Sequence, residues 1–531
     1  MSVRNLISRR GFIKSAAAAA VVSQVYLQGS PSALAQAASR LKVAITPPAT
    51  QVTLGFMTTN EGTGPLQPMF ELLTSSDRVS GAIGPNLATD WQGSADAKDW
   101  RFKLRDDVTF HDGSPFTAKD IVKSWELLTV EDSRASTAAM FRDLIGSADK
   151  IEIVNDHEVV FHLAKPEPEL PYYLTQGFLI YSKDYWDKVG QDGYAANPIG
   201  TGPFRFKEFR QGEHILYERV ENHWRQTPEF AELQLLYMPE DSTRLAALLA
   251  GEVHIAEISR DLQSQAVARG KTIVASTRPA GHISARFGGN ILKPKQTGGP
   301  LTNKLVRQAM NLAINRNEIN QQIYGGRGVL AAVEGFQTTD PEFDPAWTPY
   351  PFDPDKAKAL LAEAGYPNGF SFDLTVTSPP GFPELPNVVE AMGIYFTNVG
   401  LTPNLIQSEI ADNTNRQRAA DFYNTVWSSR QNLRPLFRVI DFFSSKSIYH
   451  FFEDPYLEER ANRFAKSLDP KERSTILREV GDFAYKSYAT MPLLFLNTEV
   501  AVDPTVVAEY KADMGSYGAS VGHEYTKAAK A

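Results

Sequence analysis

Arginine is the residue whose placement in this 531-residue chain offers the most chemistry. Arg416, Arg418, Arg430, Arg434 and Arg438 crowd one stretch of a protein with 62 acidic and 54 basic residues. A guanidinium is planar, stays charged and donates in parallel pairs, so it suits a carboxylate, phosphonate or sulfonate. Trp427 and Ser429 share that stretch. Trp427 is favoured as an aromatic wall over ordinary core packing. Arg286, in the run His282 to Asn290, is a second candidate anion clamp. Each arginine also reads as a solvated side chain or the partner of a surface acid. Asn60 and Glu61 follow an early strand, and loops at strand C-termini commonly meet ligands.

Motifs for turnover are missing. His111-Asp112 suggests acid–base work, but it sits in a polar His-Asp-Gly-Ser-Pro turn where a structural role is favoured. The nine histidines form no His-Glu-x-x-His pattern, and a chain without cysteine is a poor host for structural zinc. No Gly-x-Ser-x-Gly elbow occurs. Gly62-Thr63-Gly64 lacks the Lys-Ser/Thr ending of a phosphate loop. The expectation is a binding protein with no metal or cofactor, and an exported hydrolase is the weaker alternative. A binding module with a protein client is a third.

The elements that must position these residues alternate between strand and helix. The length calls for two or three domains. Leu233 to Tyr237 reads as a strand, Asp241 or Ser242 caps a helix stopped by Gly251, and Val253 and Ile255 begin another strand. One helix is predicted from Thr302 or Asn303 to the Gly325-Gly326 stop, and another from Asp353-Pro354 to Gly365. Phe370 to Val376 alternates as a strand, Pro470 to Tyr488 as a helix, and Met491 to Leu496 as an apolar strand. The first 35 residues read as an export signal instead of fold. Ser8-Arg9-Arg10-Gly11-Phe12-Ile13-Lys14 fits the twin-arginine pattern, and Ala33-Leu34-Ala35 fits a cleavage site. That segment carries Arg4, Arg9, Arg10 and Lys14 and no acid, so the net charge of −8 becomes −12 without it. Such a surface repels phosphate backbones and makes nucleic acid an improbable partner.

Five blocks, in order, carry a family resemblance. Gly84 to Trp125 runs from an apolar pair (Leu87, Trp91) through a strand alternating Trp100, Phe102 and Leu104 to the His111 turn. A helix capped by Thr117, with Asp120 three residues on, follows. Pro198-Ile199-Gly200-Thr201-Gly202-Pro203-Phe204, Glu221-Asn222-His223-Trp224, Arg307 to Arg316, and Tyr350 to Gly365 complete the set. The chain resembles the family 5 solute-binding proteins, extracytoplasmic receptors that feed peptides, nickel chelates and related solutes to ABC importers.

The resemblance implies an α/β, periplasmic binding protein-like fold of type II or cluster C, with two lobes joined by a hinge and an extra inserted domain. Domain I would comprise 36–70, 191–277 and 495–531, domain II 71–190, and domain III 278–494. It implies a periplasmic monomer, cleaved near Ala35, whose partners are a small molecule or short peptide and an inner-membrane ABC permease. In peptide-binding members an acid a few positions after a Gly-Trp pair holds the peptide ammonium. Here that position falls on or beside Arg430, which would repel an ammonium and shifts weight toward an anionic solute. Asn290 matches an Asn near the family's cleft. The expected ligand set is Asn60, Glu61, Arg286, Asn290, Trp427, Ser429, Arg430 and Arg434. The expected cargo is a peptide or peptide-like solute, with metal chelates and opines as alternatives.

Overall fold

The computed structural model describes residues 40–47, 64–77, 82–131, 138–145, 150–292, 297–377, 384–409, 412, 415–416, 419, 421–432, 436–447, 449–512 and 518–530, without the side chains of 139–140, 143 and 430–432. The export segment, Asn60, Glu61, Arg418 and Arg434 lie outside the described residues, as does the Arg430 side chain.

Three sheets organise the chain. The seven-stranded sheet runs Thr272–Ala275, Glu499–Val502, Ile255–Ala256, Arg40–Ile45, Glu232–Tyr237, His214–Arg219, Phe204–Arg210. Its strands therefore come from early, middle and late segments. A four-stranded antiparallel sheet is built within residues 88–162. The six-stranded sheet runs Val329–Leu330, Thr490–Leu496, Gly281–Phe287, Thr425–Asn432, Ser371–Val376, Thr402–Gln407. Helix Asp241–Leu249 links two strands that pair in parallel on either side of Arg40–Ile45, a crossover of the α/β kind.

The motif turns dock on one another. Strand Asp99–Leu104 buries Trp100, Phe102 and Leu104 in alternation, and helix Ala118–Thr129 opens with a capping box between Thr117 and Asp120. His111 Nε2 donates to Gly202 O at 2.9 Å, while His111 Nδ1 accepts from Gly200 N at 3.3 Å. His223 repeats the arrangement: Nε2 donates to Thr201 O at 2.8 Å, and Nδ1 accepts from Arg225 N at 3.3 Å. Both rings must be neutral for this, since a second ring N–H would face a backbone N–H. The Gly-Thr-Gly turn also presses on Met69. A Cβ on Gly200 would lie 2.1 Å from Met69 O, which only glycine avoids. Glu71, buried nearby, accepts from Trp224 Nε1 at 3.0 Å and pairs with Arg225 at 3.0 Å.

One predicted helix proves to be two. Lys304–Leu312 and Arg316–Tyr324 are separate, and Asn315 caps the second by accepting from Glu318 N at 3.1 Å. The break comes from a buried cation. Arg316 donates to Asn311 O at 2.9 Å and Pro492 O at 2.7 Å, groups a continuous helix would not present to it. Arg307 likewise donates to the carbonyls of Leu301, Thr302 and Ser487. The conspicuous arginines of this block therefore satisfy backbone at helix and strand ends.

Burial pushes both His111 and His223 down to about 4, from an ordinary 6.5. Their contribution to stability is complete above about pH 6.5 and is lost as pH falls toward 4, because only the unfolded chain takes up the protons. Buried Asp120, pushed up to about 6, titrates with the opposite sign, so the informative quantity is a difference between proteins. The fall in Tm from pH 7 to pH 5 is expected to be smaller by a few degrees in a His111→Gln, His223→Asn variant than in the unaltered protein. Equal falls by calorimetry would show that these rings carry no proton linkage.

Candidate functional site

Strand Gly281–Phe287 is buried at every residue. Strand side chains alternate, so its two faces are chemically distinct. Ile283, Ala285 and Phe287 enter the core beneath the six-stranded sheet, with Leu374 and Val426. His282, Ser284 and Arg286 occupy the opposite face. The neighbouring strand Thr425–Asn432 pairs in register, placing Trp427 against Arg286 and Ser429 against Ser284. Arg430 falls opposite Ile283, on the alternate register position from Trp427 and Ser429.

A carboxylate gathers this polar face. Glu334 Oε1 accepts from Arg286 Nη2 at 2.7 Å, Arg286 Nε at 3.1 Å and Ser284 Oγ at 2.9 Å, and His282 Nε2 lies 3.3 Å away. Burial pushes the Glu334 carboxyl up, but Arg286 and His282 outweigh it and hold it down at about 2. The pair thus carries no net charge. Arg286, 1 % exposed, sits among aromatic rings, 4.4 Å from the Phe442 centroid, 4.6 Å from Phe451 and 5.3 Å from Trp427. Among the described residues its Nη1 has no hydrogen-bond partner, nor has Glu334 Oε2.

Arg286 Nη1 belongs to a residue that lines a pocket with Gly288, Ile291, Phe422, Trp427 and Phe451. Its empty space, open mouth included, is about 270 Å³, and its enclosed part has room for about one water at most. Half-buried Trp427 stacks on Phe422 with centroids 4.8 Å apart and planes 9° from parallel. Gly288 makes that approach possible, since a Cβ there would lie 1.6 Å from Phe422 O.

The structure thus brings Arg286, Trp427 and Ser429 together. Asn290 uses its amide internally, donating to Phe287 O at 3.0 Å and Gly288 O at 3.3 Å and accepting from Arg307 at 3.4 Å. Arg416 donates to Asp421 O, and Arg438 pairs with Asp441 at 2.8 Å. Arg286 is no surface residue of an edge strand: its strand lies inside the sheet. Sequence reasoning missed Glu334, though a lone acid in Ala331-Ala332-Val333-Glu334-Gly335-Phe336 was a visible signal.

Removing one member of a buried pair strands the other's charge. Glu334→Ala is expected to cost about 3–5 kcal/mol, and Arg286→Met combined with Glu334→Leu to cost less than Glu334→Ala alone. Urea unfolding of the three proteins measures this. A double variant as unstable as Glu334→Ala, or more so, would mean that the pair is not coupled.

With the geometry in place, similarity to known proteins is informative. The profile of the bacterial extracellular solute-binding proteins, family 5 middle region, matches residues 82–449. The glutathione-binding protein GsiB of Pectobacterium atrosepticum is 25% identical over 427 residues, 78% of this chain and 80% of that protein. The dipeptide-binding protein of Escherichia coli is 27% identical over 365 residues, 64% of this chain and 66% of its own. The solved structure of AgaA from A. tumefaciens R10, in complex with agropinic acid, superposes with a TM-score of 0.73 at 22% identity, covering 93% of this chain and 99% of that one. This last likeness establishes the periplasmic-binding-protein fold. Because the profile spans most of the chain, the protein belongs to the bacterial extracellular solute-binding proteins of family 5, which bind solutes for ABC import and are not enzymes.

Proposed function

We propose that the protein is the periplasmic receptor for a peptide or peptide-like solute and hands it to an inner-membrane ABC permease. One observation carries the reading. A buried arginine whose Nη1 has no partner among the described residues belongs to a pocket walled by stacked aromatic rings. An amide plane lies well against such a wall, and an acceptor oxygen of the solute would satisfy the arginine. Relatives named for glutathione and dipeptides support the same class. In this reading the chain divides as 36–70, 191–277 and 495–531 for domain I, 71–190 for domain II and 278–494 for domain III. Export follows the twin-arginine route with cleavage near Ala35, and the receptor acts as a monomer.

Anionic character in the solute would rest on Arg434, because Glu334 already balances Arg286 and Arg430 holds the alternate register position from Trp427 and Ser429. Asn60 and Glu61 would approach the solute from the opposite lobe.

A thermal-shift panel of glutathione, short dipeptides and agropinic acid, with native mass spectrometry of the purified protein, tests the class. A true ligand at one hundred times its Kd adds about 2.7 kcal/mol, and at least one member should raise Tm by a few degrees. No shift from any member and no co-purified small molecule would sink the reading. Arg434→Asp should weaken binding of an anionic hit about tenfold or more. Unchanged affinity would remove the anionic part and leave the peptide class standing.

A further inference from the structure

The hydrophobic cores divide the molecule into two bodies. One continuous core runs through the seven- and four-stranded sheets, joining Leu41 and Leu235 to Phe102 and Trp125. Two more cores, one around Ile283 and Leu494, one around Phe336 and Val480, go with the six-stranded sheet. The chain passes between the bodies at 276–280 and at 497–498, where the two crossings hydrogen-bond to each other through Ser276 N to Thr498 O at 2.8 Å and Ala280 N to Leu496 O at 2.8 Å. Beside the crossings, Arg260 of the first body pairs with Glu384 of the second at 3.7 Å, and Glu499 of the first with Arg327 of the second at 3.0 Å.

The bodies also touch where the short helix Leu170–Tyr173 meets the 3-10 helix Leu436–Phe442 and helix Pro470–Ser487. Phe437 packs against the first body's core and the aromatic core of the second, its ring edge-on to Tyr172 at 5.4 Å. Arg438 Nη1 donates to Tyr173 OH at 2.9 Å. Arg473 Nη2 donates to Glu169 Oε1 at 3.1 Å. Both arginines keep partners on their own side: Asp441 for Arg438 at 2.8 Å, and the carbonyls of Phe464 and Ser467 for Arg473 at 3.1 and 3.2 Å. Parting the bodies here exposes the rings of Phe437, Tyr172 and Tyr173 and exchanges the Arg438 hydrogen bond and the Arg473–Glu169 ion pair for water, while both arginines keep partners on their own side. A contact with those properties is reversible, unlike a core.

We propose that Phe437, Arg438 and Arg473 form a latch on Tyr172, Tyr173 and Glu169 that holds the two bodies together and releases when they turn about 276–280 and 497–498. Two strands with few crossings supply the hinge, and the latch sets the fraction of molecules that are shut. The latch does not depend on which solute is carried.

The chain has no cysteine, so spin labels attach only where cysteines are introduced. Lys188→Cys on the first body and Ala465→Cys on the second are exposed positions for a doubly labelled protein. Pulsed electron–electron resonance of the purified protein should give one short distance. Adding Arg438→Met with Arg473→Met should move the population to a longer distance, shifting the shut-to-open ratio about tenfold. Tyr173→Phe removes only the hydroxyl acceptor and should shift the ratio the same way by less, which decides the matter if the double variant folds poorly. Identical distributions in all variants, or no short distance in the unaltered protein, would overturn the latch.

Discussion

A strand buried along its whole length must satisfy two environments at once, and much of this molecule follows from how Gly281–Phe287 does so. Period-two alternation sends Ile283, Ala285 and Phe287 into a helix-covered core and leaves His282, Ser284 and Arg286 on the other side. A buried guanidinium is tolerable only with a counter-charge, and Glu334 supplies it from the loop that follows strand Val329–Leu330. Cross-strand pairing then fixes Trp427 beside Arg286. The same strand begins where the chain crosses between the two bodies. Core, binding wall and hinge thus hang on one register.

Elsewhere the charged and aromatic residues that stand out mostly serve backbone. His111 and His223 cap carbonyls of a glycine turn, Glu71 anchors Trp224 and Arg225, and Arg307 and Arg316 collect carbonyls at helix and strand ends. Each replaces hydrogen bonds that irregular backbone cannot find within a helix or sheet. An arginine on carbonyls, with no acid near, stays cationic at the cost of desolvation: burial lowers both Arg307 and Arg316 to about 10. These residues fix turns whose exact path decides how the sheets meet.

Recognition asks for something opposite to this rigidity. Two bodies with separate cores, joined by two strands, can enclose a solute only if their remaining contacts are cheap to break. The contacts beside the crossings are ion pairs, Arg260 with Glu384 and Arg327 with Glu499, while the second contact sets Phe437 against two tyrosines and adds two arginines with fallback partners. The division of labour is visible in burial: large apolar cores hold each body, while a few rings and exchangeable polar bonds hold the bodies to each other.

Much of the framework was legible in the sequence because it is written in local periods and caps. Trp100-Phe102-Leu104 alternates, Thr117 and Asp120 cap a helix, Asp353-Pro354 starts one, and Gly365 stops it, each within a few residues. The order of the motif blocks identified the family for the same reason. What the chain alone could not decide are pairings across long separations. Arg286 looked like a free clamp until Glu334 neutralised it, Asn290 looked available until its amide closed its own turn, and a helix read as continuous broke at Asn315 because Arg316 had carbonyls to reach on another strand. A residue's charge, exposure and partners are properties of the packed neighbourhood, and only tertiary structure brings that neighbourhood together.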